Sequence, residues 1–486
     1  MRGSLLPHLA PFRVYRLLAA CLLAPGAAAA QSTARIVATP DTVLFDQPIH
    51  VRVTGLAPGD TATLRAGATD AVGRAWKSTA TFTADARGEI DVARQAPLRG
   101  DYAGAEPMGL FWSMASPQPP GIFVRDYFEL PTWARRSFRG ADTTAAGMEA
   151  VPTRLDLDVR GRTIASTTVL RRFVPPGTRI TRVREHGLYG VLYEPPGEGP
   201  HPALVALTGS SGGILPFWSL LAARGYTTLA LGWLDLPGTA QQMLEVPVES
   251  FDSALAWLRR RTSVDTARMG VIGWSLGGEA SLLVASLHPE LKAAVVMAGS
   301  PVVWEGVLHD TLTNAVLAQP TGKSTWTRQG APLPFATRRW AVLRPGLVAS
   351  PGSAPAVLTP ADNHDMYVAT MSDSAEIARG TMALERSSAA FLLVSARDDE
   401  TWPSAALSRI AIERLRRAGY ARPYEQVVYD VGGHGVANPP YMIGGLRMAR
   451  PGMAAAIVHR RADAWARELR FLDEHLAHAG SKAAPK

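Results

Sequence analysis

Between Pro202 and Ser300 the chain alternates apolar runs with stretches of helical period, and this restricts the fold more than any other feature. PALVALTG, YTTLALGWL, MGVIGW and KAAVVMAGS are almost continuously apolar. PFWSLLAARG, VESFDSALAWLRRRT and SLGGEASLLVASLH fall between them and repeat their apolar residues at helical spacing. A strand that is apolar on both faces must be covered on both faces. Such strands separated by helices predict a mostly parallel sheet with helices on each side. AAFLLVSARDD (389–399) and YEQVVYDVGGH (424–434) predict two later strands, and ADAWARELRFLDEHLA a closing amphipathic helix.

Before this region the period changes from helical to two. Within residues 31–150, ARIVATP, IHVRVTG, TATLRAG and TATFTADARGEIDV carry β-branched residues in short alternating runs, split by PDT, APGD and DARGE. Short strands at that spacing predict a small all-β, immunoglobulin-like sandwich domain. Residues 151–195 add RLDLDV and TIASTTVL and are expected to be connecting strands and the start of the α/β part, with EPPGEGP (194–200) as a turn. The α/β domain is expected over 196–480. From about 301 to 385 its alternation lapses into a stretch rich in Pro, Gly, Ser and Trp. A loop of that length inside a domain is commonly functional, so the insert is expected to be a lid over a site.

The first thirty residues form a separate class. Arg2, Arg13 and Arg16 lead into LLAACLLAPGAAAA without one acidic residue. This is the pattern of a secretory signal peptide over residues 1–30, and it predicts an exported protein, periplasmic or secreted. LAAC (Leu18–Cys21) resembles a lipoprotein box, but the apolar run continues past Cys21, which favours later cleavage. The run is too short for a stable membrane span. Cys21 is the single cysteine. The chain beyond the signal therefore has no disulfide, thiolate metal site or cysteine nucleophile. The net charge of +8 is spread without a block of like charges, so no nucleic-acid partner is expected.

The chemistry centres on GWSLGGE (273–279). Gly273, Ser275 and Gly277 match G-x-S-x-G between an apolar strand and an apolar helix, the setting of a nucleophile elbow. A serine hydroxyl needs a base to attack near neutral pH. In this fold the chain order is Ser, then Asp or Glu, then His. His434, in GGHG after the last expected strand, is the candidate base. The tip of AAFLLVSARDDETWP offers Asp399 as the acid that orients it, with Asp398 the alternative. Oxyanion donors are expected from the backbone of Leu276 and from the loop TGSSGG, through Ser210 or Ser211. That loop has neither the P-loop nor the dinucleotide spacing, and no ligand set of zinc-site type appears, so no cofactor and no metal are expected.

Taken together, these stretches resemble the acyl-CoA thioesterases and bile acid-CoA:amino acid N-acyltransferases. The resemblance rests on TARIVATP, VRVTGLAPG, GEIDV and EPMGLFWSM (106–114) in the β-rich part. In the α/β part it rests on GVLYEPPGEGPHPALVAL, LLAARGYTTLALGW, GWSLGGEASLLVAS, FLLVSARDDETW and GGHGVANPPY. It implies an α/β-hydrolase behind a β-sandwich, with Ser275 as nucleophile, Asp399 as the second of the paired acids and His434 as base. Members that conjugate acyl groups carry cysteine at the nucleophile position, so Ser275 implies hydrolysis. The expected activity is that of a serine hydrolase cleaving a small-molecule acyl thioester or carboxylic ester. An acyltransferase passing the acyl group to an amine or alcohol is the alternative, and an inactive binding protein the third reading. The oligomeric state is not specified by the sequence.

Overall fold

Eight strands build the central sheet of the computed structural model, and their burial follows from their composition. The structure describes residues 34–69, 75–116, 150–210, 213–310, 315–348, 354–442 and 452–477. The strands are β1 (Arg179–Val183), β2 (Tyr189–Glu194), β3 (His201–Leu207), β4 (Thr227–Gly232), β5 (Val264–Trp274), β6 (Ala293–Met297), β7 (Ala390–Ala396) and β8 (Tyr424–Tyr429). Their spatial order is β1-β2-β4-β3-β5-β6-β7-β8. β1 pairs with β2 and β2 with β4 antiparallel, and every later pairing is parallel. β4, β6 and β7 are buried at every residue, as strands covered on both faces must be.

Helices cover that sheet through periodic faces. In α1 (Glu249–Arg259), Phe251, Ala254, Leu255, Trp257 and Leu258 are buried while Ser253 is exposed. α2 (Leu276–Leu287) buries every residue from Leu276 to Ala285 and runs through the core. The segment 216–224, expected as a helix, is a 3-10 helix stopped at Gly225, whose φ is 84°. α3 (Pro360–Met371) lies within the insert, α4 (Ser404–Arg417) follows β7, and α5 (Ala454–Leu472) runs into a final π-helical turn at Asp473–Ala477.

Ahead of the large sheet lie a three-stranded and a six-stranded sheet. Thr61–Thr69 alternates buried and outward residues along its length, so one face meets the core and the other meets solvent. Residues 151–195, expected to connect, contain the long hairpin Ala150–Val159 and Arg162–Arg172. Ala150–Val159 pairs antiparallel with Thr61–Thr69, at the centre of the six-stranded sheet. Two buried side chains, Asp46 and Arg171, are among those that join this β-rich part to the rest. Asp46 Oδ2 accepts from Arg224 Nη2 at 2.5 Å and from Trp465 Nε1, on α5, at 2.7 Å. Arg171, fully buried, lies 4.1 Å from the Phe45 ring centre and donates from Nη2 to the Tyr441 carbonyl at 2.6 Å.

The insert is anchored from inside. Trp326 sits in a small sheet of Val246–Pro247, Trp326–Arg328 and Ala331–Pro332. Its ring packs 5.2 Å from that of Trp233 and 5.7 Å from that of Phe251, with its Nε1 on Glu279 of α2. The buried Glu305 carboxylate accepts from the N–H groups of Thr321, Gly322 and Arg338 and from Trp340 Nε1. Four donors on one carboxylate fix the loops that supply them.

Candidate active site

One residue carries the reversal from strand to helix. β5 ends at Trp274 and α2 begins at Leu276, leaving Ser275 at φ 60°, ψ −125°. A non-glycine residue in that region is strained by about 1–3 kcal/mol. Its neighbours hold it there: the Ser275 N–H donates to the Met297 carbonyl at the end of β6, 2.8 Å away, and its carbonyl accepts from Gly278 at 2.8 Å. The flanking glycines are a packing requirement. A Cβ on Gly273 would lie 2.1 Å from the Gly277 carbonyl oxygen, and one on Gly277 would lie 2.3 Å from that of Leu207.

Three of the residues picked from sequence meet by their side chains. His434 Nε2 lies 2.8 Å from Ser275 Oγ, and His434 Nδ1 lies 3.0 and 2.9 Å from the two carboxylate oxygens of Asp399. Asp399 is buried and its Oδ1 also accepts from the Thr401 N–H at 3.0 Å. Asp398, the alternative acid, points elsewhere: its Oδ1 accepts from the N–H groups of Gly432 at 2.9 Å and Gly433 at 2.8 Å. It fastens the loop that carries His434. Trp274 Nε1 donates to the His434 carbonyl at 2.8 Å and grips the same loop from the elbow.

The loop after β3 runs against the elbow. A Cβ on Gly209 would sit 2.8 Å from Ser275 Cβ and 3.2 Å from its Oγ, so only glycine lets the loop approach. Ser210 and Leu276 line the same small cavity as Ser275, about 90 Å³ in volume. Leu276 is the first residue of α2, where helix geometry supplies no partner for the N–H. Ser211 lies outside the described residues.

Sequence reasoning passed over two residues on this cavity. Glu279, quoted within GWSLGGE but given no role, is buried one turn beyond Ser275. Its Oε1 accepts from Trp326 Nε1 at 2.8 Å and its Oε2 has no partner. Burial pushes its carboxyl up to about 8, against the weaker opposite pulls of the Trp326 hydrogen bond and of Arg338. Arg338 comes from the insert and is also buried on the cavity. A carboxylate on the inner turn of an apolar helix start is a readable signal. The position of Arg338 had no local signal at all.

The strand order and this hydrogen-bonded chain of serine, histidine and aspartate define a hydrolase of the α/β-hydrolase fold. Residues 46–185 match the acyl-CoA thioester hydrolase/BAAT N-terminal region, and residues 246–478 match the BAAT/acyl-CoA thioester hydrolase C-terminal region. The chain belongs to the acyl-CoA thioester hydrolase/BAAT family. It is 27% identical to the peroxisomal succinyl-coenzyme A thioesterase of Mus musculus, over 90% of this chain and 96% of the relative. It is 29% identical to the mitochondrial acyl-coenzyme A thioesterase 2 of Homo sapiens, over 90% and 83% respectively. It is 32% identical to the bile acid-CoA:amino acid N-acyltransferase of Mus musculus, over 57% and 65%.

These relatives correct one expectation. Export was expected from residues 1–30, which lie outside the described residues. Against that expectation, the relatives are named as peroxisomal and mitochondrial proteins, and the expectation of export does not stand. The physical reason is that a basic, acid-free start is shared by secretory signals and organelle-targeting segments. Among the described residues no helix is long and apolar enough to cross a membrane.

Proposed function

We propose that this chain is a serine-dependent thioesterase that hydrolyses acyl-CoA, with Ser275, His434 and Asp399 as its catalytic residues. The observation that carries the proposal is the 2.8 Å contact between His434 Nε2 and Ser275 Oγ, with Asp399 closing on Nδ1. Ser275 Oγ attacks the thioester carbonyl as His434 Nε2 takes its proton. The tetrahedral oxyanion is received by the N–H groups of Leu276 and Ser210. Collapse expels the thiolate of CoA, which takes the proton from His434, and leaves an ester on Ser275. Water, deprotonated by His434, then releases the acid and restores the serine. Asp399 holds the imidazole tautomer that presents an unprotonated Nε2, and stabilises the imidazolium that forms.

Transfer to an amine is the second reading, favoured by the likeness to a relative named as an N-acyltransferase. Serine at position 275 favours water as the acceptor, because the ester intermediate is less activated toward amines than a thioester. The test is thiol release from a panel of acyl-CoAs by the full chain and by Ser275→Ala, with product analysis in the presence of glycine and taurine. The expected result is thiol and free acid from the unaltered chain, and a fall on the order of 10⁴-fold or more in Ser275→Ala. Equal rates in the two proteins overturn the mechanism, and conjugates in place of free acid overturn hydrolysis.

A further inference from the structure

Trp402 lies three residues beyond Asp399 in the loop after β7, and its indole is buried. It reaches toward each of the three reacting residues. Its backbone N–H donates to Asp399 Oδ1 at 3.4 Å. Its ring meets the His434 ring edge to face, with centres 6.1 Å apart and planes at 75°. That separation lies inside the ~4.5–7 Å over which aromatic pairs attract. Its Nε1 donates to the Ala298 carbonyl at 2.8 Å. Ala298 follows Met297, the residue whose carbonyl accepts from the Ser275 N–H.

The conformation of Ala298 gives that last bond its weight. Its φ is 46°, in the left-handed region where a residue with a Cβ is strained. The turn is held on both sides of the residue. The Ala298 N–H donates to the Val394 carbonyl of β7 at 2.7 Å, and the Ala298 carbonyl accepts from Trp402. Without the Trp402 tether the strained residue has one anchor in place of two. Its relaxation turns the peptide that carries the Met297 carbonyl, on which Ser275 rests.

Trp402 also stands between the cavity and the hydrogen-bonded pair behind it. Ser275, Thr401 and Trp402 line the cavity, whereas Asp399 and His434 are not among its described lining residues. The Asp399 side chain is 0% exposed and that of His434 10%. A hydrogen bond to a carboxylate is stronger where water is kept out. The Trp402 ring also meets that of Tyr367 on α3, with centres 5.5 Å apart, and Tyr367 meets Trp304 at 4.7 Å. Tyr367 and Trp304 belong to the insert and line the cavity too. The wall that an acyl group touches on entry is thus packed, through Trp402, against the base.

We propose that Trp402 is a positioning residue of this active site: its indole shields the Asp399–His434 hydrogen bond from water in the cavity, and its Nε1 braces the turn that holds the Ser275 N–H. The proposal rests on the serine-dependent reading above and deepens it. Trp402 makes and breaks no bond in the reaction. It acts through His434 and through the Ala298 turn.

The experiment follows, by proton NMR of the full chain, the His434 Nδ1 proton donated to Asp399. A proton held in that bond and shielded from exchange gives a resonance far downfield of the amides, assigned by its absence in His434→Ala. Thiol release from the best acyl-CoA of the panel above is measured on the same samples, and each variant is first melted to establish a cooperative fold. Trp402→Ala should lose the resonance to exchange with water. It should also lower kcat by about 10- to 100-fold, the weight of a misplaced reacting group, with a much smaller change in KM. Trp402→Phe keeps a ring against His434 but has no N–H for Ala298, so it should keep the resonance and recover part of kcat. Leu407→Ala loosens the same buried cluster without touching His434. It should melt at a lower temperature with resonance and kcat unchanged. A folded Trp402→Ala with the resonance and kcat of the unaltered chain overturns the proposal. So does a Leu407→Ala that reproduces both losses. Where Trp402→Ala does not fold, an unaltered kcat in Trp402→Phe overturns the brace, and absence of the resonance from the unaltered chain overturns the shield. A Trp402-dependent resonance in a chain that cleaves no thioester leaves the positioning role standing and removes the catalytic reading. Ser275-dependent hydrolysis indifferent to Trp402 does the reverse.

Discussion

Replacing Ser275 by glycine should make the protein more stable than replacing it by alanine. Ser275 has φ 60° and ψ −125°. A side chain with a Cβ stores about 1–3 kcal/mol in such a conformation, and glycine stores almost none. Against that gain, glycine leaves the unfolded chain freer than alanine by about 0.5–1 kcal/mol. The net expectation is that Ser275→Gly exceeds Ser275→Ala by roughly 0.5–2 kcal/mol. Both variants lose the hydroxyl and its bond to His434, so that loss cancels in the comparison. Alanine retains the Cβ and thus the strain. Urea unfolding at a fixed pH reads the difference as a shift in midpoint at equal slope. Both variants should be equally inactive, which separates stability from chemistry. Ser275→Ala matching or exceeding Ser275→Gly would refute the view that the fold holds the serine in strain.

The two neighbouring aspartates should separate by kinetics. Asp399→Asn should lower kcat on the order of 10⁴-fold by losing the tautomer control of His434. Asp398→Ala should cost nearer 10²-fold, because it only loosens the loop under Gly432 and Gly433. The reverse order would exchange their roles. Glu279 makes stability depend on pH. Its carboxyl is raised from 4.5 to about 8 in the folded state, so the unfolded chain binds fewer protons between those values. Stability should then be full below the unfolded value and fall as pH rises toward 8, by up to ~1.4 kcal/mol per unit. Arg338 and Tyr367 are the charged or titratable groups that interact with it. Denaturant midpoints at pH 5 and pH 7.5 should differ less in Glu279→Gln than in the unaltered chain; an unchanged difference would place the raised carboxyl elsewhere. Glu468 is raised by burial as well, so the comparison between proteins, and not the slope of one, isolates Glu279.

What was legible in the sequence was local. The strand before Ser275 and the helix after it depend on residues close to one another, and Asp399 and His434 were picked out by the chain order Ser, Asp, His and by the loops that end their strands. The fully buried strands announced themselves because both their faces are apolar. The hairpin 150–172 was harder. Its strands alternate, and the partner that makes them central, Thr61–Thr69, lies some ninety residues earlier. The division of labour between Asp398 and Asp399 turns on which carboxylate faces the glycine N–H groups, a matter of rotation that adjacent identical residues do not encode. The insert was legible only as a break in alternation. Trp326 and Arg338 acquire their roles from Glu279, Asn363 and Tyr367, through side-chain contacts across long sequence separations.

Arg171 ties the fate of the β-rich part to that of the reacting histidine. It belongs to a strand of the six-stranded sheet, yet its guanidinium closes on the carbonyl of Tyr441, in the same loop region as His434. The loop is thus clamped from three sides, by Asp398 and Trp274 within the hydrolase and by Arg171 from the preceding sheet. The sheet that precedes the hydrolase works as a splint for the base. An exchange of the β-rich part between relatives would transplant well only with a residue able to reach that carbonyl, and a hydrolase cut free of it would keep every reacting group while losing the alignment of one.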